Sequence, residues 1–525
     1  MVGPRTSYPP RVASRRIAQL LLAAAVLLAA CAKDDGARVP EPAPESASTE
    51  STTSTLGATT TEPVPPTSSA PAQPPPPLSW SRCGSNECAT LQVPLDHGQP
   101  AGRKLDIAVN RRGAKKRSSR IGSLVFNPGG PGASGVDALG FVFGRLPSAV
   151  TDRFDIVGFD PRGVGRSSPI SCLPDARLDA FFHVDPVPDD ARERQDLVDV
   201  TKELIQGCEK ASGDLLAHVG TADVAKDLDL LRAALGDEKL TYVGFSYGTQ
   251  LGAVYANLFP GRVRALVLDG AVDPLETANE SNRGQAKGFD SALEAFITDC
   301  RNKGTSCAWK PEGGPSKDAF NRLIAMVDAN PIPTGSRVVG PAEATLGAAA
   351  ALYDQGSWPA LARGLNDAAA RQGEILLRLF DSIVDRRTDG TYSNLQEVYV
   401  AVTCLDRPHP AGLEDVEKQA AAAAQESPAF GAAIVWSGLV CALWPVAAVP
   451  FPTATGPLPQ VLVIGTTNDP ATPYVSAQAL SKQLGARLLT FKGEGHTAYG
   501  KDSCVNRLTD AYLLQLKLPA EGATC

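Results

Sequence analysis

A serine set between two glycines, in Gly244-Phe245-Ser246-Tyr247-Gly248, is the first place where this sequence offers chemistry. The run Leu240-Thr241-Tyr242-Val243 before it reads as a strand. Residues 249–258 carry apolar side chains at helical spacing until Pro260-Gly261 stops them. A serine in so tight a strand-to-helix turn is lifted above the sheet edge, and glycines flank it because side chains there would clash. A hydroxyl is a weak nucleophile at neutral pH, so Ser246 calls for a histidine base and an acid to orient that base.

Such an elbow sets a chain order of serine, acid, histidine. His97, His183 and His218 precede it, and His409 lies between two prolines, which leaves His496 as the base. His496 sits in Gly493-Glu494-Gly495-His496, directly after the strand-like run Arg487-Leu488-Leu489-Thr490-Phe491. Loops at the C-terminal ends of strands are where α/β sheets place their sites. Asp469, which follows the strand-like Val461-Leu462-Val463-Ile464, is the favoured acid, and Asp273, one strand after the nucleophile, is its rival. Two amides must also face the developing oxyanion. Tyr247 supplies one, and the turn Asn127-Pro128-Gly129-Gly130-Pro131-Gly132 the other, through Gly130 with Gly129 in reserve.

That turn supports a competing reading. Gly130-Pro131-Gly132-Ala133-Ser134-Gly135 matches a dinucleotide-binding fingerprint, with Asp160 at the end of the next strand as a ribose ligand. A dehydrogenase would leave the elbow, the late Asp and the late His without a purpose, so no cofactor is expected. Scattered histidines and the lack of any Cys-x-x-Cys pair also argue against a metal site.

Short Val/Ile/Leu runs separated by helical stretches indicate strands buried on both faces, and so an α/β protein with a mostly parallel sheet covered by helices. At 525 residues the chain exceeds one compact core, so a second unit or a large insertion is expected. Between residues 274 and 457 strand-like runs thin out and Ala-rich helical stretches dominate, including one over 361–379. We read this segment as a helical lid inserted between core segments 79–273 and 458–525. The basic run at 111–117 reads as a solvated turn.

Arg5, Arg11, Arg15 and Arg16 precede a Leu/Ala-rich segment ending Leu28-Ala29-Ala30-Cys31, which reads as a lipoprotein signal over residues 1–30 with lipid on Cys31. Its removal takes the formal charge from −7 to −11, and an acidic chain is unsuited to nucleic acid. No apolar run of spanning length lies beyond this signal, so the lipid is the expected membrane contact. Residues 31–78 hold the Cys and a Pro/Ser/Thr-rich tether that cannot bury a core. Cys31 set aside, ten cysteines remain, an even number that suits an exported, fully paired protein. Nearest-neighbour pairing suggests Cys83–Cys88, Cys172–Cys208, Cys300–Cys307, Cys404–Cys441 and Cys504–Cys525, while other connectivities stay open.

Residues 127–135 (NPGGPGASG), 158–168 (GFDPRGVGRSS), 244–252 (GFSYGTQLG), 469–473 and 493–496 together resemble the exported tripeptidyl aminopeptidases of actinobacteria, α/β-hydrolases related to prolyl iminopeptidase. The resemblance spans residues 79–525. It implies a serine peptidase that removes short peptides from free N-termini, with Ser246, Asp469 and His496 as its triad. Simple esters are the alternative substrates, and an inactive scaffold on the same fold is the alternative class. An aminopeptidase must also hold a protonated α-amine, and Glu397 and Asp406, flanking Cys404, are the candidate carboxylates.

Overall fold

The computed structural model describes residues 75–525, so the signal, Cys31 and most of the tether lie outside the described residues. The strands are β1 (Ser81–Cys83), β2 (Asn86–Pro94), β3 (Lys104–Arg112), β4 (Gly122–Asn127), β5 (Phe154–Phe159), β6 (Leu240–Phe245), β7 (Val263–Asp269), β8 (Ile332–Thr334), β9 (Arg337–Val339), β10 (Val461–Asn468) and β11 (Arg487–Glu494). Nine of them form one sheet in the order β1-β2-β3-β5-β4-β6-β7-β10-β11, and β8 and β9 form a separate hairpin. From β5 to β11 every pairing is parallel, while β1, β2 and β3 run antiparallel at one edge.

Every residue of β4, β5 and β6 is buried because helices cover both faces. Alternate side chains divide between two clusters, as the two-residue strand period requires. Leu124, Phe126 and Ile156 pack with Leu139, Val505 and Tyr512, whereas Val125, Val157 and Tyr242 pack with Leu228, Leu231 and Leu251. The basic run is not a free turn. Arg111 and Arg112 complete β3, where Arg111 pairs with Glu87 and lies 4.0 Å over the Trp80 ring, and Arg112 bonds Asn86.

β7 and β10 are neighbours in register, Val461 opposite Leu266 and Ile464 opposite Asp269, although a long excursion separates them in sequence. That excursion is mainly helical, with the β8–β9 hairpin as its strand content. The single helix expected over 361–379 is two helices, Trp358–Ala369 and Glu374–Ile383. They break at Gly373, where a Cβ would stand 2.4 Å from Thr334 Oγ1.

Sequence reasoning placed the whole lid after β7, but a second excursion, between β5 and β6, joins it. Its helices Asp175–Phe182 and Ala191–Ser212 meet the lid at several points. Phe182 stacks on Tyr392 at 5.5 Å, Arg386 Nε donates to Asp179 at 2.7 Å, and His183 Nδ1 lies 2.8 Å from Glu343. Five disulfides join Cys83–Cys88, Cys172–Cys208, Cys300–Cys307, Cys404–Cys441 and Cys504–Cys525. Among the described residues no helix is long and apolar enough to cross a membrane.

Candidate active site

β6 ends at Phe245 and the helix Tyr247–Leu258 begins two residues later, so Ser246 alone makes the turn, at φ 54° and ψ −126°. An L-residue there carries backbone strain that only a well-packed surround can hold. The flanking glycines are required by contact distance. A Cβ on Gly244 would stand 2.1 Å from the Gly248 carbonyl oxygen, and one on Gly248 would stand 2.8 Å from the Asn127 carbonyl oxygen. The Ser246 amide donates to the carbonyl of Asp269 at 2.9 Å, tying the elbow to the end of β7.

Asp469 follows β10 directly, and its side chain is 1% exposed. It accepts hydrogen bonds from the amides of Ala471 and Thr472 and from Thr472 Oγ1, at 3.0, 2.9 and 3.1 Å. Both carboxylate oxygens lie 2.9 Å from His496 Nδ1. This fixes a tautomer with the proton on Nδ1 and leaves Nε2 as the basic nitrogen. His496 is held from the lid side as well. Its amide donates to the Tyr353 carbonyl at 2.8 Å, and the Tyr353 ring stands edge-on to the imidazole at 5.4 Å. His496 Nε2 is buried and has no hydrogen-bond partner among the described residues, and no bond joins it to Ser246 Oγ in this conformation. Such a contact commonly tightens only once substrate is bound.

Asp273 is not brought to His496; its Oδ1 accepts from the Leu275 amide and from Gln483 Nε2. His409 lies in the lid, and no hydrogen bond links it to Ser246 or Asp469. Asp160 is fully buried and accepts from Ser134 Oγ at 2.6 Å and the Val136 amide at 3.0 Å. It thereby anchors the start of the helix Gly135–Arg145, which leaves no open carboxylate for a ribose.

In the glycine turn, the Gly129 amide is spent on Asn127 Oδ1 at 2.9 Å. The Gly130 amide donates to no described residue. Tyr247 is the first residue of its helix, so its amide has no partner within that helix. Gly130, Tyr247 and Ser246 line one cavity of about 150 Å³ under the lid. His496 lines a second of about 1020 Å³, and Leu178 and Glu397 border both. The turn is pressed from above, since a Cβ on Gly132 would stand 2.4 Å from the carbonyl oxygen of Leu395, where a lid helix begins.

Glu397 and Asp406 both reach this region, on the helix Leu395–Asp406. Glu397 Oε1 accepts the amides of Cys172 and Leu173 at 2.6 and 3.0 Å, joining the two lid excursions. Asp406 bonds Thr221 Oγ1 and the Thr221 amide and takes Gln250 Nε2 at 2.8 Å. Thr221 Oγ1 in turn contacts Tyr247 Oη at 2.7 Å, so Asp406 braces the elbow helix. Burial pushes the Asp406 carboxyl up to about 6.

Sequence reasoning missed Asp269 and Thr472. Asp269, fully buried at the end of β7, accepts from the Ala498 amide at 3.0 Å and from the Tyr499 amide at 2.8 Å, just beyond His496. Burial raises its carboxyl to about 6 despite those bonds. An acidic residue closing an apolar run, Ala265-Leu266-Val267-Leu268, was the available signal.

The family described as "alpha/beta hydrolase fold" matches residues 122–309, and the one described as "TAP-like protein" matches residues 427–525. The chain is 39% identical over 480 residues to serine protease Hip1 of Mycobacterium tuberculosis, covering 86% of this chain and 91% of that one. It is 33% identical over 474 residues to tripeptidyl aminopeptidase of Streptomyces lividans, covering 85% and 86%. Carboxylesterase B of Mycobacterium tuberculosis is 38% identical over 459 residues, covering 83% and 86%.

Proposed function

The chain belongs to the α/β-hydrolase family that includes serine protease Hip1 and tripeptidyl aminopeptidase, and is a serine hydrolase; from that premise we propose that it is an aminopeptidase releasing short peptides from free N-termini. The observation that carries the mechanism is the buried Asp469–His496 pair with an unpartnered Nε2, beside a serine held in a strained elbow. Ser246 Oγ attacks the scissile carbonyl while its proton passes to His496 Nε2, and Asp469 stabilises the imidazolium. The Gly130 and Tyr247 amides receive the oxyanion. Collapse of the tetrahedral species breaks the C–N bond, and His496 returns its proton to the departing amine. Water, deprotonated by His496, then hydrolyses the acyl ester and frees Ser246.

Similarity to a relative named carboxylesterase favours a second reading, an esterase of cell-envelope esters. One comparison separates them. An aminopeptidase cleaves a free-amine tripeptidyl substrate and loses the N-acetylated one, whereas equal cleavage of both indicates an esterase or endopeptidase. Failure to turn over either peptide or p-nitrophenyl acetate would indicate an inactive scaffold.

We also propose export and anchoring through lipid on Cys31. Five disulfides in the described body suit an oxidising compartment. Cys31→Ala should shift the protein from the membrane fraction to the soluble one; retention in the membrane would end the anchor proposal.

A further inference from the structure

Charged side chains lining the Ser246 cavity are Asp273, Glu276, Glu397, Asp406 and Arg407. Four of them are already engaged. Glu397 holds the Cys172 and Leu173 amides, and Asp406 holds Thr221 and Gln250. Asp273 takes the Leu275 amide at 2.9 Å and Gln483 Nε2 at 2.7 Å. Arg407 donates to the carbonyl oxygens of Asp273 and Glu276 at 3.0 and 3.1 Å.

Glu276 differs from the rest. Its carboxylate takes no hydrogen bond from any described residue, and its nearest cation is Arg407 Nη1, 4.0 Å from Oε2. Its side chain is 26% exposed, open enough to be reached and covered enough to be poorly hydrated. A carboxylate so placed is costly to keep ionised, and its carboxyl is pushed up to about 7, chiefly by burial. A primary ammonium supplies what the residue lacks, hydrogen-bond donors at contact distance, and brings a second positive charge to it.

We propose that Glu276 binds the protonated α-amine of the peptide substrate, and so sets the preference for free N-termini. This rests on the aminopeptidase reading above and moves the amine site from Glu397 and Asp406 to a residue beyond β7. Glu276 and Ser246 line the same cavity, so an amine held at Glu276 lies within the space that also presents the scissile carbonyl to the nucleophile.

The test measures kcat/KM for a free-amine tripeptidyl anilide and its N-acetyl form, with wild type, Glu276→Gln and Glu276→Asp, each checked for folding by its thermal transition. Loss of one charged hydrogen-bonding partner should lower kcat/KM for the free amine by about 10- to 100-fold in Glu276→Gln, mainly through KM. The ratio of free to blocked cleavage should collapse toward one, and Glu276→Asp should recover part of it. If wild type discriminates and Glu276→Gln discriminates equally well, Glu276 is not the amine site and the aminopeptidase reading survives. A wild type with no preference for the free amine overturns both.

Discussion

The buried carboxylate of Asp269 accepts the amide hydrogen of Tyr499 at 2.8 Å, three residues past His496. Through its carbonyl the same residue takes the amide of Ser246, so one residue at the end of β7 references both the elbow serine and the His496 loop to the sheet. Next to it, a Cβ on Gly270 would stand 2.9 Å from His496 Cε1, so the imidazole packs directly on this strand end.

Asp269→Asn should therefore misplace the His496 loop, because with its oxygen kept at the Oδ2 position its NH₂ would face the Ala498 amide donor at the Oδ1 position. We expect kcat to fall by about 10- to 100-fold with KM little changed, and stability to fall by about 1–3 kcal/mol. Steady-state kinetics beside a denaturant titration check this. A stability loss with no fall in kcat would make Asp269 structural only.

Asp469→Asn should lower kcat by about 10⁴-fold, since the amide favours the wrong imidazole tautomer at Nδ1. Ser246→Ala should abolish labelling by a fluorophosphonate probe. An Asp469→Asn enzyme with full activity would reassign the acid.

Gly132→Ala adds a Cβ at φ +104° that would meet the Leu395 carbonyl at 2.4 Å. Backbone strain of about 1–3 kcal/mol is expected at such a position. The start of the lid helix and the glycine turn proposed to receive the oxyanion must then separate, so the acylation rate should drop together with the thermal midpoint. A variant with wild-type burst kinetics would show that the two move independently.

Cys172–Cys208 and Cys404–Cys441 close loops with sequence separations of 36 and 37 residues. Each should stabilise the fold by about 3–4 kcal/mol on the chain-entropy account. Replacing both cysteines of either pair by serine should lower the midpoint of urea unfolding, and the Cys404–Cys441 variant should also lose activity, because that bridge backs the helix carrying Glu397 and Asp406. Unchanged midpoints would contradict this.

The pH dependence of KM follows from the raised carboxyl of Glu276, faced by Arg407, Asp273 and Glu280. Below about 7 the group is protonated and offers an ammonium no charge; above it the carboxylate is available. KM for a free-amine peptide should fall as pH rises through about 7 and climb again once the substrate amine, with a pKa of about 7.7–8.0, loses its proton. Glu276→Gln should remove the acidic limb. A KM profile identical in the two enzymes would exclude the assignment.

The placing of Ser246 and His496, the proposed nucleophile and base, at a strand–helix turn and a strand-end loop was legible in the amino-acid sequence because each depends on local chemistry. The elbow needs glycines at fixed offsets from the serine, and the base follows from chain order and a strand-end loop. The alternation of buried apolar runs with helical stretches likewise announced the α/β sheet, since burial on both faces leaves its mark within a single strand. The choice between Asp469 and Asp273 was different. Both satisfy the chain order, and the parallel pairing of β10 with β7 and β11 places Asp469 alone against His496. The fates of Glu397, Asp406 and Glu276 were equally invisible along the chain. Glu397 and Asp406 are defined by the donors that reach them, from Cys172, Thr221 and Gln250 on elements far away in sequence, whereas no described residue donates to the Glu276 carboxylate. A carboxylate's availability depends on the saturation of its hydrogen bonds, and only the packing of the two lid excursions over the sheet decides that.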